Sequence, residues 1–235
     1  MKALLRHDWY VYRKRLLILF GVYCFLMGLI FAGFGYPIKG LAEQQWQYRF
    51  ILFIVLAPMD LFVGVTAANA LSHDSKSGWL HLVAAMPYTR GQIITEKAVF
   101  GGLVIAAHGI CVTVCQLIAT AGTDGGLAIG LEVACWELAK PLILSALLFV
   151  LTVRWNQSVA VCILLGVAIV LPDLPFMVDW ICVQNGGREF LSDAVSRLIS
   201  FLVTLPGSFV LLVSAILLYV LCWRLSVRAF ARKTL

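Results

Sequence analysis

Charged side chains are scarce in this chain: they make up 13% of its 235 residues, whereas 62% of the residues are hydrophobic. Ordinary soluble domains carry about 25% charged residues. A soluble core of this size cannot bury so many apolar side chains, so the lipid bilayer must be the solvent for much of the chain. The composition therefore excludes an ordinary soluble protein.

The sequence also lacks the motifs of the common nucleotide-binding and catalytic sites. No glycine-rich loop ends in Gly-Lys-Ser or Gly-Lys-Thr, which excludes a P-loop ATPase core. No HExxH or GxSxG pattern is present. The four histidines lie in different predicted elements, at His7, His73, His81 and His108. We therefore expect neither a protease nor a metal enzyme, and no cofactor bound by this chain.

Cysteine is present, but not in the spacing of metal ligands. The seven cysteines form no CxxC pair, and most lie inside apolar runs. We interpret them as small buried hydrophobic residues. A bridge between Cys135 and Cys182, both near the predicted outer face, is the alternative.

The predicted fold is an all-α membrane protein, a single transmembrane domain over 1–235. Six apolar segments are predicted to span the membrane, at 16–36, 50–71, 98–121, within 127–153, 158–171 and 198–223. A spanning helix needs roughly 20 residues, so the fifth is short. Residues 173–197 hold the turn signal Asn185-Gly186-Gly187 among apolar residues, which predicts outer re-entrant helices. A plain extracellular loop is the alternative.

Lys and Arg residues indicate the orientation. Most of the 18 fall on the side of the N terminus, the C terminus and the loop 72–97. The opposite side has only Lys39, Arg49, Arg188 and Arg197. Basic residues are retained on the cytoplasmic side of membranes, so both termini and the loop are predicted to be cytoplasmic.

The basic segment 1–15 is predicted to be a helix in the membrane interface. Its apolar and aromatic residues recur at helical spacing, at Leu5, Trp9, Tyr12 and Leu16. Trp and Tyr are enriched at the headgroup level, which favours this interpretation. The alternative is a basic start to the first span.

The loop 72–97 carries an apolar stripe. Its members recur at i, i+3, i+4 and i+7, and they are Trp79, Leu82, Val83 and Met86. This spacing predicts a helix over 77–86 with one apolar face. Asp74, Ser75 or Ser77 can cap its start. The helix either lies flat on lipid or fits a groove of a soluble partner.

Near the end of this loop, one helix is predicted to end and the next helix to begin. Pro87 is predicted to end the short helix. Thr89 and Gln92 then have the spacing of a capping box, which predicts the start of the helix that leads into the third span.

Ionisable residues within the predicted spans require a partner or a role, because burying a charge in the bilayer is costly. Asp60 and His108 lie at similar depths and are predicted to form a hydrogen bond between helices. Glu137 and Lys140 are three residues apart and can pair on one helix face. These four residues either stabilise the helix bundle or line a polar substrate path. Pro206 is predicted to kink the sixth span.

The basic N-terminal segment, the six spans and the loop pattern Lys-Ser-Gly-Trp … Pro-x-Ser/Thr-Arg-x-x-Ile … Lys resemble the permease subunits of ABC-2-type ATP-binding-cassette exporters. The resemblance is strongest to small bacterial permeases for peptide-toxin export, of the phenol-soluble modulin type, and for lantibiotic self-protection. The residues that carry it are Lys76, Ser77, Gly78, Trp79, Pro87, Thr89, Arg90, Ile93 and Lys97. Met86-Pro87-Tyr88-Thr89 departs from the expected Leu-Pro and Ser, and the change is conservative.

The resemblance implies an exporter of amphipathic peptides or other hydrophobic molecules in the bacterial plasma membrane. Two permeases would assemble with two separate ATPase subunits, which bind ATP and Mg²⁺. The ATPase-coupling residues would be Ser77, Gly78, Trp79, Leu82, Val83, Met86 and Arg90. The segment 173–197 would form the outer gate.

The residues alone leave other functions open. A secondary transporter using the intramembrane carboxylates is one alternative, and a non-transport scaffold or immunity protein that sequesters a peptide is another. A homodimer and a heterodimer with a second permease both remain open.

The orientation generates a direct test. In a cysteine-free background, we expect a thiol reagent added to intact cells to label Asn185→Cys and to leave Trp79→Cys unlabelled. The reason is the excess of Lys and Arg on the side of the 72–97 loop. Labelling at position 79 and not at 185 would show the reverse orientation.

Overall fold

The computed structural model describes residues 2–34, 56–120, 126–155, 197, 201–202 and 204–231. These residues are almost all helical. The helices are α1 (Lys2–Phe34), α2 (56–64), α3 (Thr66–Lys76), α4 (Trp79–Ala84), α5 (Arg90–Thr120), α6 (Gly126–Arg154) and α7 (Leu205–Ala231). The described part of the chain contains no strand, in agreement with the predicted all-α fold.

Among the described residues, three helices are long and apolar enough to cross a membrane. They are Arg90–Ile118 within α5, Gly126–Arg154 and Leu205–Ala231. They contain most of the predicted third, fourth and sixth spans. The predicted fifth span and, apart from residue 197, the re-entrant segment 173–197 lie outside the described residues, so the complete layout of six spans stays a prediction.

Helix α6 is at the centre of the described bundle. It packs against α5 and, most extensively, against α7. Trp136 donates its indole N–H to the carbonyl oxygen of Leu202, just before α7, at 3.2 Å. On the other side, Gly109 of α5 lets the two backbones approach, since a Cβ there would overlap the side chain of Leu138. These contacts place the intramembrane residues of α6 next to those of α5.

The sixth span is interrupted just before Pro206 rather than kinked within one continuous helix: residues 201 and 202 are helical and residue 204 is a bend. Helix α7 starts at Leu205, and Pro206 therefore lies in the first turn, where its missing N–H removes no helical hydrogen bond. Thr204 precedes the helix, and its Oγ1 accepts a hydrogen bond from the Gly207 N–H at 3.4 Å.

Helix α1 is continuous, so the predicted interfacial segment 1–15 and the first span are parts of one helix. The residues buried in its first turns are not the same set as those predicted to face the membrane interface. Trp9 is exposed, whereas Leu4, Asp8 and Tyr12 are buried. Residues four apart lie on one side of a helix, so these three form a single buried stripe. The position of 1–15 in the membrane interface stays a prediction.

The predicted loop 72–97 is helical at both ends. Helix α3 runs on to Lys76, and α5 already begins at Arg90. The irregular part is confined to the residues on either side of α4. Consequently short connections join α4 to the longer helices α3 and α5.

Candidate functional site

The segments before and after the short helix α4 have defined backbone conformations and hydrogen bonds. Gly78 precedes it with a φ of 77°, a left-handed conformation that glycine adopts without steric cost. After α4, the predicted capping box is confirmed. The Thr89 N–H donates to Gln92 Oε1 at 2.9 Å, and the Gln92 N–H donates to Thr89 Oγ1 at 3.2 Å.

The helix is shorter than the predicted 77–86. It spans Trp79–Ala84, and then the turn tightens: the Met86 N–H donates to the carbonyl oxygen of Val83 at 3.1 Å. Such i to i−3 bonds are common where a helix ends. Of the three candidate caps of α4, Asp74 and Ser75 lie within α3 instead, and Ser77 donates its hydroxyl back to the Asp74 carbonyl oxygen at 3.3 Å.

The four residues of the predicted apolar stripe differ in burial, although their spacing places them along one face. Val83 is buried and Trp79 is partly buried against the same apolar cluster. Leu82 is 51% exposed and Met86 is 39% exposed. Met86 lies in the turn after α4, and the packing that covers Trp79 and Val83 leaves Leu82 uncovered; the exposed edge of Leu82 and Met86 is here called the outward side. The outward side therefore retains two apolar side chains.

The inward side of α4 packs on the first turns of α1. The His7 ring stacks on the Trp79 ring, with centroids 4.2 Å apart and planes 11° apart. Leu4 of α1 and Val83 of α4 belong to one buried apolar cluster. The N-terminal helix thus packs on one part of α4, and residues of α3, α5, α6 and α7 complete the same cluster.

A second set of contacts joins α1, α3 and α5 beside α4. The buried Lys97 ammonium lies 2.6 Å from Asp8 Oδ1 and 2.6 Å from Asp74 Oδ2. Its neighbour Glu96 is also buried, with Oε2 at 3.3 Å. One buried cation therefore faces three carboxyl groups, and removing it would leave buried acid groups without a counter-charge.

The sequence pattern did not predict this charge cluster of Asp8, Asp74, Glu96 and Lys97. One signal was present, since Asp8 lies between Leu4 and Tyr12 at helical spacing in a buried stripe. Asp8, Asp74 and His7 also lie close enough to suggest metal ligands. The Lys97 ammonium contacts both carboxylates, however, so the charge that a metal would supply is already present. We interpret the cluster as structural ion pairing.

The intramembrane residues form one connected cluster. Both predicted pairs are present: His108 Nε2 lies 2.9 Å from Asp60 Oδ1, and Lys140 Nζ donates to Glu137 Oε1 at 2.7 Å. Lys140 Nζ also lies 3.1 Å from Asp60 Oδ2, which joins the two pairs. The cluster thus connects α2, α5 and α6, and its members are nearly removed from solvent.

One member of this cluster, His108, also faces an apolar groove. The groove has a volume of about 370 Å³ and is lined by α1, α2 and α5. His108 and Tyr23 are the titratable ring side chains of its wall, and the two rings meet edge to face at 5.9 Å. The groove wall is otherwise mainly aliphatic and aromatic, for example Leu16, Phe20 and Leu103.

The remaining predicted coupling residues surround α4. Ser77 and Gly78 form the turn before it, and Arg90 is the first residue of α5. The structure therefore brings the predicted coupling residues together, and separately the four intramembrane residues. Their functional roles stay predictions.

Comparison with known families gives an assignment for nearly the whole chain. A family model described as "ABC-2 family transporter protein" matches residues 3–231. The chain belongs to the ABC-2 transporter family, and it is a membrane component of an ABC transporter. No curated protein and no solved structure matched the chain. The resemblance to ABC-2 permeases is confirmed at the level of the family.

The intramembrane cluster generates a stability prediction. Lys140→Met should lower the free energy of unfolding by about 3 to 5 kcal/mol, because Asp60 and Glu137 would be left buried without their cation. The melting temperature of the purified protein in detergent measures this loss. Lys76→Met, which removes an exposed lysine, is the matched control and should leave the melting temperature unchanged.

A double variant separates charge from packing. Adding Asp60→Asn to Lys140→Met should restore part of the lost stability, since it removes one uncompensated carboxylate. Equal melting temperatures for Lys140→Met and Lys76→Met would contradict the interpretation of the cluster as an ion-pair network.

Proposed function

We propose that this chain is the permease subunit of an ATP-driven exporter and that a separate ATPase docks on the outward side of α4. The observation that carries the proposal is the pair of exposed apolar residues, Leu82 on α4 and Met86 in the turn after it, next to inward-packed Trp79 and Val83. Membership of the ABC-2 family supports the need for an ATPase partner.

The outward side of α4 has the properties of a docking surface. A short helix that presents apolar anchors on one side fits a hydrophobic groove of a partner. Leu and Met can fill an irregular groove, and Met in particular adapts its shape to a partner. Lying flat on lipid is the competing role, and it differs in that binding of the ATPase would not depend on Leu82.

The apolar groove and the intramembrane cluster support the proposed class of substrate. An amphipathic peptide or another hydrophobic molecule matches a wall that is apolar apart from His108 and Tyr23. In this proposal His108 contacts the substrate path, while Asp60, Glu137 and Lys140 hold His108 and one another in place.

The remaining parts of the proposal rest on the resemblance to exporter permeases. Two permeases and two ATPases form the working unit, the chain lies in the bacterial plasma membrane with both termini in the cytoplasm, and transport is outward. ATP binding closes the ATPase pair and moves the α4 helices, and the segment 173–197 acts as the outer gate. The ATP and Mg²⁺ sites belong to the ATPase.

Copurification with an ATPase tests the assembly. We expect native mass spectrometry to find two copies of each subunit, and ATP hydrolysis only when the ATPase is present. The chain lacks the P-loop that would bind the nucleotide phosphates. ATP turnover by the isolated permease, or a stable complex with one copy of each subunit, would refute this part of the proposal.

The docking surface is tested by Leu82→Asp. A charge at this position should weaken binding of the ATPase at least about tenfold, because it would be buried without a partner in an apolar groove. Its side chain is half exposed in the permease alone, so the fold should be retained. Ser75→Asp places the same charge at an exposed position of α3 and is the control. Equal affinities of the two variants would exclude this docking surface.

A further inference from the structure

Helix α4 is too short to be stable by itself. It contains 6 residues, and isolated helices shorter than about 12 to 15 residues are marginal in water. Its neighbours on both sides are turns, with a left-handed glycine before it. The shape and direction of α4 must therefore come from the side chains that pack against it.

Some of those side chains come from the first turns of α1, beside those of α3, α5, α6 and α7 in the same apolar cluster. His7 stacks on Trp79, and Leu4 shares a buried cluster with Val83. Asp8 reaches the same region through Lys97, which also binds Asp74 near the end of α3. Helix α3 leads directly into α4. The contacts thus hold both α4 itself and the segment that enters it.

We propose that Leu4, His7 and Asp8, here called the N-terminal support, position α4 for the ATPase without contacting the ATPase themselves. The inference rests on the proposed function, because it concerns how the docking surface is prepared for its partner. Asp8 is 1% exposed and Leu4 is 5% exposed, so neither is available to a partner. The His7 side chain is 28% exposed and has its ring against Trp79.

The physical basis is preorganisation. A segment that is ordered before binding loses less conformational freedom when its partner binds, and affinity rises accordingly. The N-terminal support holds Trp79 and Val83 inward, which turns Leu82 and Met86 outward. Loss of the support would let α4 unfold locally or rotate. The residues of the docking surface would still be present, but the surface would be formed only part of the time.

Three permease variants, reconstituted in lipid nanodiscs and titrated with the ATPase, test the role of His7. His7→Ala should weaken the affinity roughly tenfold, because the stack on Trp79 is lost. His7→Phe keeps a flat ring in the same place and should stay within about twofold of the wild type. Tyr10→Ala removes an exposed ring from the same helix and should have no effect.

A double variant shows whether His7 acts through Trp79. His7→Ala and Trp79→Ala should each weaken ATPase binding, and the double variant should be no weaker than the worse single variant. Contacting residues show such non-additive effects, whereas independent sites add. Additive losses, or no loss in His7→Ala, would overturn the proposal.

Amide hydrogen exchange in the isolated permease gives a readout that does not require the ATPase. Exchange over 79–84 should become roughly tenfold faster in His7→Ala and stay near the wild-type rate in His7→Phe. Unchanged exchange in His7→Ala would overturn the proposal even if the affinity fell. A general loss of folding would speed up exchange in α6 as well, which would likewise contradict a role confined to α4.

The failure of this inference is distinguishable from that of the proposed function. If the wild-type permease binds the ATPase and Leu82→Asp does not, the docking surface stands, and a normal affinity of His7→Ala removes only the N-terminal support. If the wild type binds no ATPase, the proposed function and this inference both fall.

Discussion

A buried ammonium group holds three helices together near α4. Lys97 of α5 lies within 2.6 Å of carboxylate oxygens from both α1 and α3. Burying one charge without a partner is costly, and each of these charges is tolerable only while the others are present. The position of α1 relative to α3 therefore depends on this contact, and the position of α4, which follows α3 and rests on α1, depends on it in turn.

The same constraint operates in the middle of the predicted membrane region. Lys140 of α6 contacts Asp60 of α2 and Glu137 of its own helix, and Asp60 also binds His108 of α5. Polar groups inside a bilayer region have no water to bind, so they select partners from neighbouring helices. The two clusters lie on different sets of helices, and α5 contributes to both. Helix α5 is consequently the element that connects the charge cluster beside α4 with the cluster of Asp60, His108, Glu137 and Lys140.

The contacts that could be predicted from the sequence are of two kinds. Some depend only on the local geometry of a helix, and in the others an ionisable residue inside an apolar segment needs a partner. The capping box of Thr89 and Gln92 follows from the geometry of a helix start and needs no tertiary information. The pair Glu137 and Lys140 follows from spacing along one helix. Asp60 and His108 were paired because each lies inside an apolar run at a similar depth, where an unpaired ionisable group is costly.

The sequence by itself determined that the described chain is helical, that long apolar segments alternate with basic ends, and which residues are apolar in the 72–97 loop. Only the tertiary structure decided which side of α4 is covered. The spacing places Trp79, Leu82, Val83 and Met86 along one apolar stripe. The tertiary contacts, among them the stack of His7 on Trp79, cover part of this stripe and leave Leu82 exposed. Likewise, Asp8 and Lys97 are 89 residues apart, and their contact arises from helix packing that no local pattern encodes.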